Sequence, residues 1–121
     1  MPPTARDFLP LKPVDLQLLL ALAETEQHGY GLVHAIEQGT DGLVKLDPGN
    51  LYRVIKRLLD DGIIAESGRR PKDAGEERRR YYRITPLGER VLAAEVRRLQ
   101  ALMKSRAVRD IVRTLIREPA T

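Results

Sequence analysis

The chain of 121 residues contains no cysteine and no tryptophan, and only one phenylalanine and four tyrosines. Without cysteine there is neither a disulfide framework nor a thiolate metal site. The two imidazoles, His28 and His34, straddle an expected helix start at a spacing that does not suit a metal, so no metal site is expected. No run of about 18 apolar residues occurs and no charged-then-apolar leader opens the chain, so no membrane span is expected. A soluble cytoplasmic protein is the simplest fit. Gly29 and Gly31 begin like a dinucleotide fingerprint, but no third glycine follows and no parallel sheet is expected. No nucleophile–base–acid constellation is visible either, so neither an enzyme nor a cofactor is expected. What the chain does have, 42% hydrophobic residues, suits a modest core of one domain, or of one domain with an appended helix.

The formal net charge of +4 is unevenly spread. Residues 1–52 carry three Lys/Arg against seven Asp/Glu, residues 53–83 ten against six, and residues 84–121 eight against four. Positive charge therefore begins in the middle of the chain and continues to its end. This polarity favours an anionic partner for one part of the molecule.

The switch in charge coincides with the most informative stretch, residues 43–62. Residues 43–46 read as a short strand. Asp47 then suits a helix N-cap, Pro48 the first helical position, and Gly62 a left-handed stop. At about 100° per residue, Leu51, Val54, Ile55, Leu58 and Leu59 share one arc. Arg53, Lys56 and Arg57 point the other way, with Asn50 and Tyr52 near the start and flank. A short helix fixed to a core on one side and cationic on the other suits a DNA groove. Arginine pairs bidentately with guanine, whereas lysine more often contacts phosphate. Asn50 could read adenine or bond a phosphate, and Gly49 would admit a phosphate close to the helix start. Tyr52 could donate to a phosphate or lean on the edge of the core.

Upstream, residues 1–13 hold four of the eight prolines and read as an extended arm, whose Phe8, Leu9 and Leu11 could pack against a neighbour, possibly a second subunit. Leu16, Leu19, Leu20 and Ala23 repeat at helical spacing, so a mostly buried helix is expected from residue 14 to about 26. A second helix is expected over about 30–38, burying Leu32, Val33 and Ile36 and capped by Gly39.

Downstream, residues 63–70 and 78–84 read as two strands joined by a polar, turn-rich loop. Arg69, Arg70 and Lys72, with Arg78, Arg79 and Arg80 across the loop, would form a cationic wing. The loop acids Asp73, Glu76 and Glu77 could dull its field, yet a phosphate or minor-groove contact fits its place after a recognition-type helix. Thr85 and Pro86 restart a helix that runs at least to Ser105. Leu92, Val96, Leu99 and Met103 form a heptad-like seam on it that a winged-helix core has no evident room to cover. Beyond Ser105 the apolar positions continue out of phase, and a continuous helix and a broken pair are both open.

The expected fold is mainly α with a small β-wing: an N-terminal arm (1–13), a winged helix-turn-helix (14–85) and a C-terminal dimerisation region (86–121). These residues also resemble the PadR-like transcriptional regulators. The matching pieces include His28-Gly29-Tyr30-Gly31-Leu32 and Asp47-Pro48-Gly49-Asn50-Leu51-Tyr52. Further matches are Arg57-Leu58-Leu59-Asp60-Asp61-Gly62-Ile63-Ile64 and Tyr81-Tyr82-Arg83-Ile84-Thr85-Pro86-Leu87-Gly88. The resemblance implies a homodimeric DNA-binding regulator of the family's short form, most often a repressor relieved by a small molecule. Double-stranded DNA carrying an inverted-repeat operator would be its partner. In the family, a ligand can lie in an apolar space between subunits near the dimerisation helices. Stacking between tryptophans does not carry over to a chain that has none, so an effector would meet aliphatic side chains, Met103 or a tyrosine. The competing reading is a winged-helix protein–protein interaction module that docks an acidic partner.

Overall fold

Capping chemistry sets the helix boundaries in the structure, a computed structural model that describes residues 1–68 and 80–116. Helix α1 (Pro13–Glu24) opens with proline and buries Leu18, Leu19, Ala21 and Leu22. Helix α2 (Gly29–Gly39) is capped by His28, whose Nδ1 accepts from the Gly31 N–H at 3.2 Å. Helix α3 (Pro48–Asp60) starts at Asp47, whose Oδ1 accepts from the Asn50 N–H at 2.8 Å. Its end is a Schellman closure: Gly62 takes φ +76°, its N–H donates to the Leu59 carbonyl, and the Ile63 N–H donates to that of Leu58. Leu58 and Ile63 are both buried, as the hydrophobic contact of that motif requires. Helix α4 (Pro86–Met103) is capped by the Thr85 hydroxyl, which accepts from the Gly88 N–H at 3.0 Å.

Three antiparallel strands form the sheet in the order β1–β3–β2: β1 (Gln27–His28), β2 (Ile64–Ser67) and β3 (Tyr81–Ile84). Ile64 pairs with Ile84, Ser67 with Tyr81 and Gln27 with Tyr82. The expected strand over residues 43–46 does not form. Both edges of β3 are already occupied, one by β2 and the other by the two residues that leave α1. Leu43 is 87% exposed, while Val44 and Leu46 lean on the core from irregular backbone. The close of α2 also differs from the expected cap at Gly39. The left-handed turn falls at Asp41 and Gly42, whose N–H groups donate to the carbonyls of Gln38 and Glu37.

The N-terminal arm is partly folded and serves its own chain. A 3₁₀ turn (Ala5–Phe8) packs on α4, and Phe8, Leu9 and Leu11 rest half-buried against the core of the same molecule. This cover accounts for the inner half of the expected dimer seam. Leu92 is buried in the single chain, Val96 packs half-buried against the core, and Leu99 is half-buried, leaving Met103 as the exposed member. The helix stops at Met103, short of Ser105. The Ser105 hydroxyl accepts from the Val108 N–H and caps a separate helix α5 (Arg106–Ile111), which runs into a π-helical turn (Val112–Ile116). The broken pair is the arrangement observed. Among the described residues no helix is long and apolar enough to cross a membrane.

Candidate nucleic-acid interface

The amphipathic pattern of α3 is realised side chain by side chain. Leu51, Ile55 and Leu58 are buried, with Val54 and Leu59 packed against them. Gly49, Asn50, Tyr52, Arg53 and Lys56 are exposed. The helix is held at both ends, by the Asp47 cap and the Gly62 turn, and its apolar face is fixed to α2 and β2. Its cationic face is therefore presented by a rigid element, the arrangement that groove recognition needs.

The cations on this helix differ in their commitments. Arg53 has no hydrogen bond or ion pair among the described residues. Lys56 reaches Asp60 at 3.3 Å, one turn on, with both side chains largely exposed; a pair in water is weak and readily exchanged for another anion. Arg57 does not project with the other two. Its Nη2 donates to Asp15 Oδ1 at 2.8 Å, and Asp15 lies in the first turn of α1 with 4% of its surface exposed. The hydrogen bond that Arg57 donates to Asp15 raises the Arg57 pKa above its ordinary value, against the opposing effect of burial.

At the start of α3, the Asn50 amide donates to Asp47 Oδ2 at 2.9 Å and so joins the cap. The hydroxyl end of Tyr52 lies against the beginning of α2 beside Gly29, while 58% of the residue remains exposed. On the wing, Arg80 approaches Glu66 at 3.6 Å with both side chains exposed. Arg69, Arg70, Lys72, Arg78 and Arg79 lie outside the described residues. The two strands that carry the wing pair at their Ser67 and Tyr81 ends, directly after the recognition-type helix.

Two buried carboxylates escaped the sequence reading, and both organise the scaffold. Asp15 is one. Glu95 on α4 is the other, 1% exposed, accepting from the Leu11 N–H at 2.9 Å and from Arg98 Nη2 at 3.1 Å. The Arg98 hydrogen bond, helped by the Leu11 N–H, holds the Glu95 carboxyl below the usual range despite burial. A signal for both was available. Asp15 is in phase with Leu18, Leu19 and Leu22, and Glu95 with Val91, Leu92 and Leu99, so each acid sits on an apolar stripe. An acid in that phase must be paired when the stripe is buried.

Between α1 and α3 runs an open groove of ≈ 660 Å³ whose lining includes Val14, Val44 and Val54 together with Lys12, Asp15, Arg53 and Arg57. A second groove of ≈ 450 Å³ is lined by Leu16, Leu20, Val96, Leu99 and Met103 beside α4. Among the described residues no group of three or more His, Cys, Asp or Glu side chains is placed to hold a metal ion.

Residues 18–94 match the model of the transcriptional regulator PadR-like family. The chain is 33% identical over 91 residues to the transcriptional regulator Rv3488 of Mycobacterium tuberculosis, covering 75% of this chain and 79% of that one. A transcriptional regulator from Clostridium thermocellum superposes with a TM-score of 0.63 at 26% identity, over 88% of this chain and 92% of the other. A PadR family transcription regulator from hypervirulent Clostridium difficile gives a TM-score of 0.64 at 18% identity, over 87% and 99%, and shares the fold. The capped cationic helix, the sheet that follows it and the long helix thus occur in a sequence matched over more than half its length, and the chain belongs to the transcriptional regulator PadR-like family.

Proposed function

We propose that this regulator is a homodimeric repressor that reads an inverted-repeat DNA operator and is released by a small apolar effector. The observation that carries the reading is α3: anchored by three buried side chains, locked at both ends, and cationic on its outward face. Arg53 is the leading base reader because its guanidinium is exposed and uncommitted, and Lys56 is a phosphate contact once it leaves Asp60. Asn50, Gly49 and the Tyr52 hydroxyl flank the helix start, where backbone phosphate would approach. Residues 14–85 form the DNA-binding unit, with Arg69, Arg70, Lys72, Arg78, Arg79 and Arg80 on the wing, and residues 86–121 the dimerisation region. The apolar groove beside α4 offers the aliphatic surface that an effector would use. Such a protein works in the cytoplasm with its DNA.

Selection of bound duplexes from a random pool, followed by titration at several salt concentrations, tests the reading. An inverted repeat should emerge. If a dimer neutralises about 6–10 phosphates, affinity should fall on the order of a thousandfold or more between about 50 and 200 mM salt. Arg53→Ala should cost roughly 1–3 kcal/mol and relax preference at one base pair, whereas Lys56→Ala should weaken all sequences alike. A nearly flat salt dependence would instead favour the protein-interaction module.

A further inference from the structure

Helical phase groups Arg57 with Arg53 and Lys56, but its surroundings assign it different work. Its guanidinium carries five N–H donors. One nitrogen is bound to Asp15, and the described residues offer no partner to the others, although 41% of the side chain is exposed. Arg57 and Arg53 are one turn apart on α3 and border the same groove, opposite Lys12. Three cations thus surround this groove, and Asp15 is the one acid among its lining residues.

A base-reading arginine must extend away from its helix toward the floor of the DNA groove. Arg57 is drawn back toward α1. Releasing it would strand a nearly buried carboxylate without its counter-charge, which is strongly unfavourable. The tether is therefore kept when an anion arrives, and the free edge of the guanidinium stays in one orientation.

We propose that Asp15 is a positioning residue for the DNA interface: by holding one nitrogen of Arg57, it aims the remaining N–H groups into the α1–α3 groove as a clamp for a backbone phosphate. Arg57 then fixes the register of the protein on DNA and carries no sequence preference. The inference rests on the DNA-binding reading above.

The sign of a single substitution tests it. Asp15→Asn removes a negative charge beside the interface, so a merely electrostatic or merely structural Asp15 predicts tighter or unchanged binding. A positioning role predicts weaker binding. The full-length wild type and variant are titrated with the selected operator and with a scrambled duplex of equal length, after thermal unfolding shows both to be folded. Expected is a loss of roughly tenfold on both duplexes, with the operator-to-scrambled ratio unchanged. Arg57→Lys keeps the charge and loses the fork, so it should give a similar uniform loss. Adding Asp15→Asn to Arg57→Lys should then cost little more, because the two act as one unit. Should Asp15→Asn fail to fold, Arg57→Lys and Arg57→Gln decide between uniform loss and loss at a single base pair. Tighter or unchanged binding by folded Asp15→Asn, or a preference change at one base pair in an Arg57 variant, would overturn the inference while leaving DNA binding intact. A wild type with flat salt dependence and no operator would overturn both together.

Discussion

A methyl group added at Gly88 would overlap the Ile63 carbonyl oxygen and lie 2.8 Å from Ile84 Cγ1. Ile63 cannot retreat easily, because the Thr85 hydroxyl is bonded to the Gly62 and Ile63 carbonyls at 2.6 and 2.9 Å. Glycine is thus what lets the first turn of α4 close against the residues leading into β2. Gly88→Ala should destabilise the fold by about 1–3 kcal/mol, the usual range for overpacking, and thermal unfolding of the purified variant measures it. Glu95 governs a second junction, between the arm and α4. Its folded pKa is depressed, first by the Arg98 hydrogen bond, so the stability it contributes is complete above the unfolded value of about 4.3. That contribution disappears as the pH falls through the lower folded value. Urea unfolding of wild type and Glu95→Gln should therefore differ most above about pH 5, and the gap should narrow under acid. A gap that stays constant from neutral pH to pH 3 would contradict the assigned charge state. Neither buried acid revealed its partner in local pattern: Leu11 and Glu95 lie 84 positions apart, and Arg57 and Asp15 lie 42 apart. The phase of each acid was visible, but not its partner.

The recognition-type helix has its start, stop and buried face written within residues 47–63, so local chemistry specifies it completely. Asp47→Ala removes the acceptor for the Asn50 N–H and for the Asn50 amide. It should lower stability by about 1 kcal/mol and weaken DNA binding by loosening the first turn, with denaturant midpoints and operator titration as the two readouts. Equal DNA affinity after a measured loss of stability would mean that the first turn does not contact DNA. The same locality explains why α4 began where its Thr85-Pro86 signal placed it. The third strand was invisible for the opposite reason. Gln27 and His28 alone carry no alternation, and their strand character comes wholly from pairing with Tyr82 and Tyr81. Residues 43–46 had the better local pattern, but the two edges of the central strand β3 are taken by β1 and β2. Pattern sets what a segment is able to form, and topology decides which segment does. For the site, the exposure of Arg53 and Lys56 followed from helical phase, whereas the withdrawal of Arg57 depended on a carboxylate from another helix.

The arm and α1 cover the first half of α4 and leave its end and α5 open. Leu102, Met103, Ile111, Leu115 and Ile116 are each about half exposed or more, the last two at 73% and 68%. Such a concentration of apolar surface beside a ≈ 450 Å³ apolar groove suits a second copy of the chain and is otherwise an aggregation hazard. The proposed dimer therefore draws on the outer end of α4 and on α5, with Leu99 and Met103 continuing from the expected seam and Leu92 acting as core. This changes which substitutions test it. A polar residue at Leu92 would unfold the chain and say nothing about assembly, whereas Met103→Glu with Leu115→Glu places charge on side chains already exposed in the single chain. The double variant should sediment as a folded monomer with unchanged far-ultraviolet circular dichroism. Its operator affinity should collapse, because two half-sites about 34–36 Å apart are no longer engaged together. Its residual binding to a single half-site should match that of the wild type, since α3 and the wing are untouched. A wild type that remains monomeric at micromolar concentration yet binds an inverted repeat tightly would refute the dimer, and a double variant that still sediments as a dimer would place the interface elsewhere on the chain.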